Sequence, residues 1–138
     1  MKTKKILIVS ANYYMDIAKN MECSAYNYLN KNIKNIHLQK TPLIVTVPGV
    51  FEIPVVISRN IKQYDGFIAL GCVIKGQTPH FNFISKATTD AIMKLSVEYK
   101  KPIGNGIITC LNKKQAIVRS KTKGLEAAKA VLSVLKNF

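Results

Sequence analysis

Lys75, Gly76, Gln77, Thr78, Pro79 and His80 stand in a row after an apolar run that reaches Cys72. Their types suit an anion held beside a proton-transfer group. Gly76 lets the backbone come close to a ligand. Thr78 reads as a helix N-cap and Pro79 as the first helical residue, with Gln77 at the same start. Unpaired amides and the positive end of the helix dipole favour a phosphate there, and Lys75 adds charge. This is not a P-loop, because Gly76 is followed by Gln77 rather than by Lys and Ser or Thr. On spacing alone it is equally an ordinary strand-to-helix turn. His80, in the first helical turn, has the chemistry of a general acid or base; the alternative is a histidine bonded to a loop carbonyl. Cys72 is a rival, but a cysteine at the end of a buried strand is usually a small apolar residue.

A second stretch, VPGVFEIP (Val47–Pro54), puts Val50, Phe51 and Glu52 at another helix start. Glu52 either complements the helix dipole or accepts hydrogen bonds from ligand hydroxyls. Tyr13 and Tyr14 offer a stacking surface or are plain loop aromatics. His37, in an expected strand with no polar motif beside it, reads as structural.

These residues need a scaffold. Lys4–Ser10 reads as a buried strand, and a helical period runs from Ile17 to about Lys31. A strand is expected over Asn35–Gln39 and, after Pro42, over Leu43–Val47. Helix follows from about Phe51 to Gln63, with Pro54 tolerable in its first turn. Gly66–Cys72 is the clearest strand, and a long helix from the Thr78 start ends before Pro102. Ile103–Thr109 is a strand. Leu111–Arg119 and Gly124–Leu135 are two helices, or one broken around Ser120–Thr122. Strands alternating with helices predict a single domain over residues 1–138, an α/β/α sandwich on a parallel sheet. In such sheets ligands sit beyond the carboxyl ends of the strands, which is where the turns just described fall.

The 138 residues suffice for one core, and nearly half are apolar. Neither a signal peptide nor a transmembrane stretch is expected. Cys23, Cys72 and Cys110 are widely spaced without a CxxC pair, a pattern of reduced thiols in a cytoplasmic protein rather than a disulfide framework or zinc site. The formal net charge of +14 attracts phosphorylated metabolites, anionic lipid or nucleic acid. It comes from 19 scattered lysines and only two arginines, without the arginine forks of nucleic-acid readers. Arg59 and Arg119 therefore stand out as candidates for fixed roles.

VPGVFEIP and ALGCVIKGQTPHFNFI together resemble the lumazine synthases. The similarity continues through PIGNGIITC, KKQAIVR and TKGLEAAKAVL and covers essentially the whole chain. It implies a flavodoxin-like α/β/α sandwich with four parallel strands. It also implies a reaction joining 5-amino-6-ribitylamino-uracil to 3,4-dihydroxy-2-butanone 4-phosphate, without metal or organic cofactor. The products are 6,7-dimethyl-8-ribityllumazine, phosphate and water, in the penultimate step of riboflavin biosynthesis.

By that resemblance His80 is the acid/base residue, Gln77 and Thr78 bind phosphate, and Cys72, Val73 and Ile74 lie along the pyrimidine. Val50, Phe51 and Glu52 hold the ribityl chain, and Tyr13 stacks on the pyrimidine. Arg119 binds phosphate from a neighbouring subunit, Lys123 precedes the last helix, and Asn105 reaches across the interface. The chain departs from the family at Asn12, usually arginine, and in a shortened segment between Arg119 and Lys123 that leaves open which of Lys121 and Lys123 takes the place of the family's lysine. The brief amino-terminal segment and that shortened bend point to an isolated homopentamer rather than an icosahedral shell of sixty chains. The other readings are an archaeal-type riboflavin synthase, a non-catalytic flavin- or lumazine-binding protein, and a basic nucleic-acid-binding domain.

Overall fold

The computed structural model of the chain describes residues 3–38, 43–77 and 79–136. Among these residues are four strands: β1 Ile6–Ala11, β2 Leu43–Val47, β3 Gly66–Ile74 and β4 Ile103–Cys110. The helices are α1 Met15–Lys31, a single turn α2 Ile33–Ile36, α3 Ile53–Arg59, α4 Phe81–Tyr99 and α5 Lys113–Leu135. The sheet is wholly parallel, in the order β2-β1-β3-β4. This is the three-layer, flavodoxin-like α/β/α arrangement expected from the alternation of strand and helix.

Every residue of β1 and β3 is buried, as a parallel strand covered on both faces requires. The two-residue period of the strands splits their side chains between two cores. Ile6, Ile8, Ile68, Leu70 and Ile108 meet Ile17, Met21 and Leu29 of α1 and Val131 of α5. Leu7, Val9, Phe67, Ala69 and Ile107 meet Ile53 and Ile57 of α3 and Ile92 of α4. The sheet is thus clamped between α1 with α5 and α3 with α4.

Four expectations need correction. Asn35 and Ile36 are helical rather than extended, and His37 adopts a left-handed φ of 52° at the end of α2. Only Leu38 touches the sheet edge, in a bridge to Lys4, and Gln39 lies outside the described residues. α3 stops at Arg59 rather than Gln63, because Asn60 leaves helical geometry and its side-chain amide donates to the Val56 carbonyl at 2.8 Å. α4 begins at Phe81 rather than at Pro79, because His80 has a φ of 63°, which a right-handed helix excludes.

The fourth correction concerns α5, which is continuous through Ser120–Thr122. The small residues that suggested a break are a crossing point instead. Ser120 Oγ accepts from Asn20 Nδ2 at 3.0 Å, and Ser24 Oγ accepts from the Leu125 amide at 3.0 Å. Gly124 lies so close to α1 that a Cβ there would overlap the Met21 carbonyl oxygen.

That contact decides the sign of a substitution. Gly124→Ala gains about 1 kcal/mol of helix propensity. It also forces apart two backbones that cannot rotate away, an overpacking cost of about 1–3 kcal/mol or more. Net destabilisation is expected in urea unfolding at a fixed protein concentration; equal or greater stability would show that α1 and α5 separate freely.

Candidate active site

β1 connects to β2 on one side of the sheet, and the chain then crosses to β3 on the other. The reversal leaves a crevice beyond the carboxyl ends of β1 and β3, the usual ligand position in such folds. The strand lengths open it further. β3 pairs with β1 only as far as Leu70 but with β4 as far as Ile74. Cys72, Val73 and Ile74 therefore present the crevice with a strand edge whose peptide groups have no ladder partner on that side. Their side chains are buried, Val73 in one core and Cys72 and Ile74 in the other. Whatever they offer a ligand comes from the backbone.

Three segments surround this edge. The Val50–Glu52 3₁₀ turn lies directly on β3, because Gly71 has no side chain: a Cβ there would collide with Val50 Cγ1. Val50 is the buried foot of the turn, and Phe51 is left 62% exposed. Glu52 Oε1 accepts from the Gly49 amide at 3.0 Å, which fixes the carboxylate and leaves Oε2 outside that bond. This capping bond is a role the sequence reading did not offer, and a ligand contact remains open to the second oxygen.

The turn after β1 carries Tyr13 and Tyr14, packed edge to face with ring centroids 4.9 Å apart. The Tyr14 hydroxyl donates to Gln77 Oε1 at 3.3 Å, so the β1 and β3 turns are tied across the crevice. Tyr13 remains 65% exposed. Between α1 and the end of β2 a cleft of about 340 Å³ is lined by Asn12, Asp16, Lys19, Glu22 and Thr46.

The third segment leaves β3 at Lys75. Gly76 has a φ of 82° with open space around its Cα, and the Gln77 amide closes the turn on the Ile74 carbonyl at 3.3 Å. Thr78 lies outside the described residues. His80 is exposed at the N-cap position of α4, its ring 6.0 Å from that of Phe83. A left-handed histidine costs roughly 1–2 kcal/mol, and strain of this kind clusters at working sites.

Cys72 is no nucleophile here. Burial, with the Cys110 thiol beside it, pushes its pKa up from 9.0 to about 12. Arg119 is exposed on α5, its Nη1 donating to the Thr109 carbonyl at 2.9 Å and to Cys110 Sγ at 3.5 Å, at the strand end where the Cys110 carbonyl accepts from the Lys75 amide at 2.9 Å. Lys123 is half-buried and Lys121 exposed on the same helix. Asn105, on the edge strand β4, turns its Oδ1 onto the Ile107 amide at 3.0 Å. A single chain thus brings together Tyr13, Val50–Glu52, Cys72–Ile74 and Gln77, while Asn105, Arg119 and Lys123 belong to the β4 side of the sheet. Sequence reasoning did not find the roles of Thr109 and Cys110 toward Arg119. Only the register, which seats Cys110 opposite Ile74, reveals them.

Comparison with known proteins gives the family. The family model described as 6,7-dimethyl-8-ribityllumazine synthase matches residues 3–138. The enzyme of that name from Bartonella henselae is 40% identical over 142 residues, covering 97% of this chain and 88% of its own. That of Bartonella bacilliformis is 39% identical over 138 residues, covering 94% and 87%. That of Agrobacterium fabrum is 37% identical over 147 residues, covering 99% and 95%. With β3's open edge, the Gly76–His80 turn and the match over nearly its whole length, this chain belongs to the 6,7-dimethyl-8-ribityllumazine synthase family.

Proposed function

We infer that the chain condenses 5-amino-6-ribitylamino-uracil with 3,4-dihydroxy-2-butanone 4-phosphate to 6,7-dimethyl-8-ribityllumazine, releasing phosphate and water. The observation that carries this reading is the open edge of β3, flanked by Glu52 and Tyr13 on one hand and by the Gly76–His80 turn on the other. A pyrimidinedione presents alternating N–H and C=O groups, which is what an unpaired strand edge takes up. On this reading the ring lies along Cys72, Val73 and Ile74 and stacks on Tyr13. The ribityl hydroxyls donate to Glu52 Oε2 beside Phe51 and the backbone of Val50.

The phosphate of the second substrate lies at the Gln77–Thr78 turn with Lys75 nearby, met by Arg119 and either Lys123 or Lys121 of a neighbouring chain. Asn105 reaches across the same interface. The amine condenses with the ketone and loses water, phosphate leaves, and the ring closes with loss of a second water. Each step calls for proton transfer at fixed positions more than for a strong nucleophile. His80 supplies that transfer, and its exposure leaves room for the second substrate.

The family implies small-molecule substrates and a homo-oligomer. α4 supports an assembly in which copies pack through it, exposing Phe83 (74%), Met93 (63%) and Val97 (69%) along one side. Among the described residues no helix is long and apolar enough to cross a membrane. We take the assembly to be an isolated pentamer working in the cytoplasm. The continuous course of α5 from Lys113 to Leu135, without a bend between two helices, supports this reading.

Supplied with both substrates, the purified protein is expected to form lumazine and release phosphate in equal amounts. His80→Ala should lower turnover by about 10²–10⁴-fold with the fold kept, the usual contribution of a positioned proton-transfer group. Wild-type turnover in that variant removes His80 from the mechanism. Conversion of lumazine to riboflavin, or binding without turnover, overturns the reaction itself.

The assembly is checked by light scattering at moderate salt. A mass near five chains is expected; a mass near sixty would refute the isolated pentamer.

A further inference from the structure

We propose that Cys110, with the Thr109 carbonyl, positions Arg119 so that it meets a phosphate through its Nε–Nη2 edge alone. The inference rests on the reading of Arg119 as a phosphate ligand. A guanidinium has five N–H donors, and it can pair with two anion oxygens either end-on through Nη1 and Nη2 or side-on through Nε and Nη2. Nη1 carries two of those donors. One goes to the Thr109 carbonyl at 2.9 Å and the other to Cys110 Sγ at 3.5 Å. The end-on edge is thereby spent on the protein, and the side-on edge is left for the ligand.

The anchors are rigid. Thr109 and Cys110 are the last residues of β4, paired there with Val73 and Ile74 of β3, and the Cys110 side chain is buried in the core beneath α5. Arg119 itself is exposed, and a free arginine loses roughly 2 kcal/mol of rotamer entropy when a ligand fixes it. Holding Nη1 to the strand end meets part of that cost before the phosphate arrives. The sulfur is a weak acceptor, which limits the size of the effect.

The test compares Cys110→Ala, which removes the acceptor, with Cys110→Ser, which restores one, beside Arg119→Ala. Cys110→Ala is expected to raise the KM for the phosphate-bearing ketone, and the inhibition constant of inorganic phosphate, by about 3- to 10-fold, the loss of one weak charge-assisted bond. The KM for the ribitylamino-uracil and kcat should stay within about two-fold, and Cys110→Ser should recover most of the difference. If Cys110→Ala does not fold, Cys110→Val keeps the apolar volume without the acceptor and gives the same comparison. Unchanged phosphate constants in the Ala or Val variant, while Arg119→Ala raises them, would overturn the positioning role alone. A rise in both KM values together, or no recovery in the Ser variant, would reduce Cys110 to packing. If Arg119→Ala itself leaves the phosphate constants unchanged, the reading of Arg119 fails and the inference with it.

Discussion

The register between β1 and β3 governs what this molecule can do. In a parallel sheet an internal strand normally spends its peptide groups on neighbours along its full length. Here β1 releases β3 at Leu70 while β4 holds it to Ile74. The tail of β3 is thus rigid, because one side is paired and both faces are buried, and yet chemically open along the other side. Rigidity and openness seldom coincide, since unpaired backbone is usually loop. The flanking segments are all fixed to this tail. The Val50 turn rests on Gly71, Tyr14 bonds to Gln77, and the turn at Gly76 is closed on Ile74.

What the sequence disclosed follows from which signals are local. Buried parallel strands announce themselves as apolar runs, and the fold followed from their alternation with helical periods. The segment from Gly76 to His80 was ambiguous on spacing alone, since glycine and proline also serve ordinary strand-to-helix turns, and it stood out through its resemblance to a family motif. The errors lie where tertiary contact overrides a local signal. Ser120 to Gly124 has the composition of a break, but in the fold its small residues let α5 press on Ser24 and Met21. Pro79 is a good first residue for a helix, yet the left-handed His80 postpones α4 to Phe81. Cys110 gave no signal at all. Its relation to Arg119 and Cys72 exists only once β3 and β4 are in register and α5 lies over them.

The positive charge acts at two ranges. Nineteen lysines spread along the chain set up a field that draws anionic molecules from solution, falling off within a Debye length of about 8–10 Å. Such a field raises encounter rates without telling one phosphate ester from another. Discrimination needs donors at fixed positions, and the two arginines differ in this respect. Arg59 lines a cleft of about 420 Å³ with Val45, Asn60 and Gln63 at the end of α3, whereas Arg119 is bonded back to a strand end. A lysine in place of Arg119 would keep the field but could not hold the strand with one nitrogen while offering two donors elsewhere.

The proposed reaction explains why so much of the site is backbone. Joining an amine to a ketone and expelling phosphate is chemistry that correct placement alone accelerates greatly. A strand edge places a planar ring with little freedom to lose, and a turn closed on that strand places the phosphate relative to it. In the proposed site, side chains would then add what the backbone lacks: a carboxylate oxygen at Glu52, an aromatic face at Tyr13 and a transferable proton at His80. If Arg119 comes from a neighbouring chain, the same logic extends to assembly. Its guanidinium is fixed to its own β4, so it can approach another chain's Gly76 turn only when the subunits themselves are correctly docked. Subunit packing then becomes part of substrate placement, and a chain that folds alone would hold the pyrimidine while lacking half of its phosphate site.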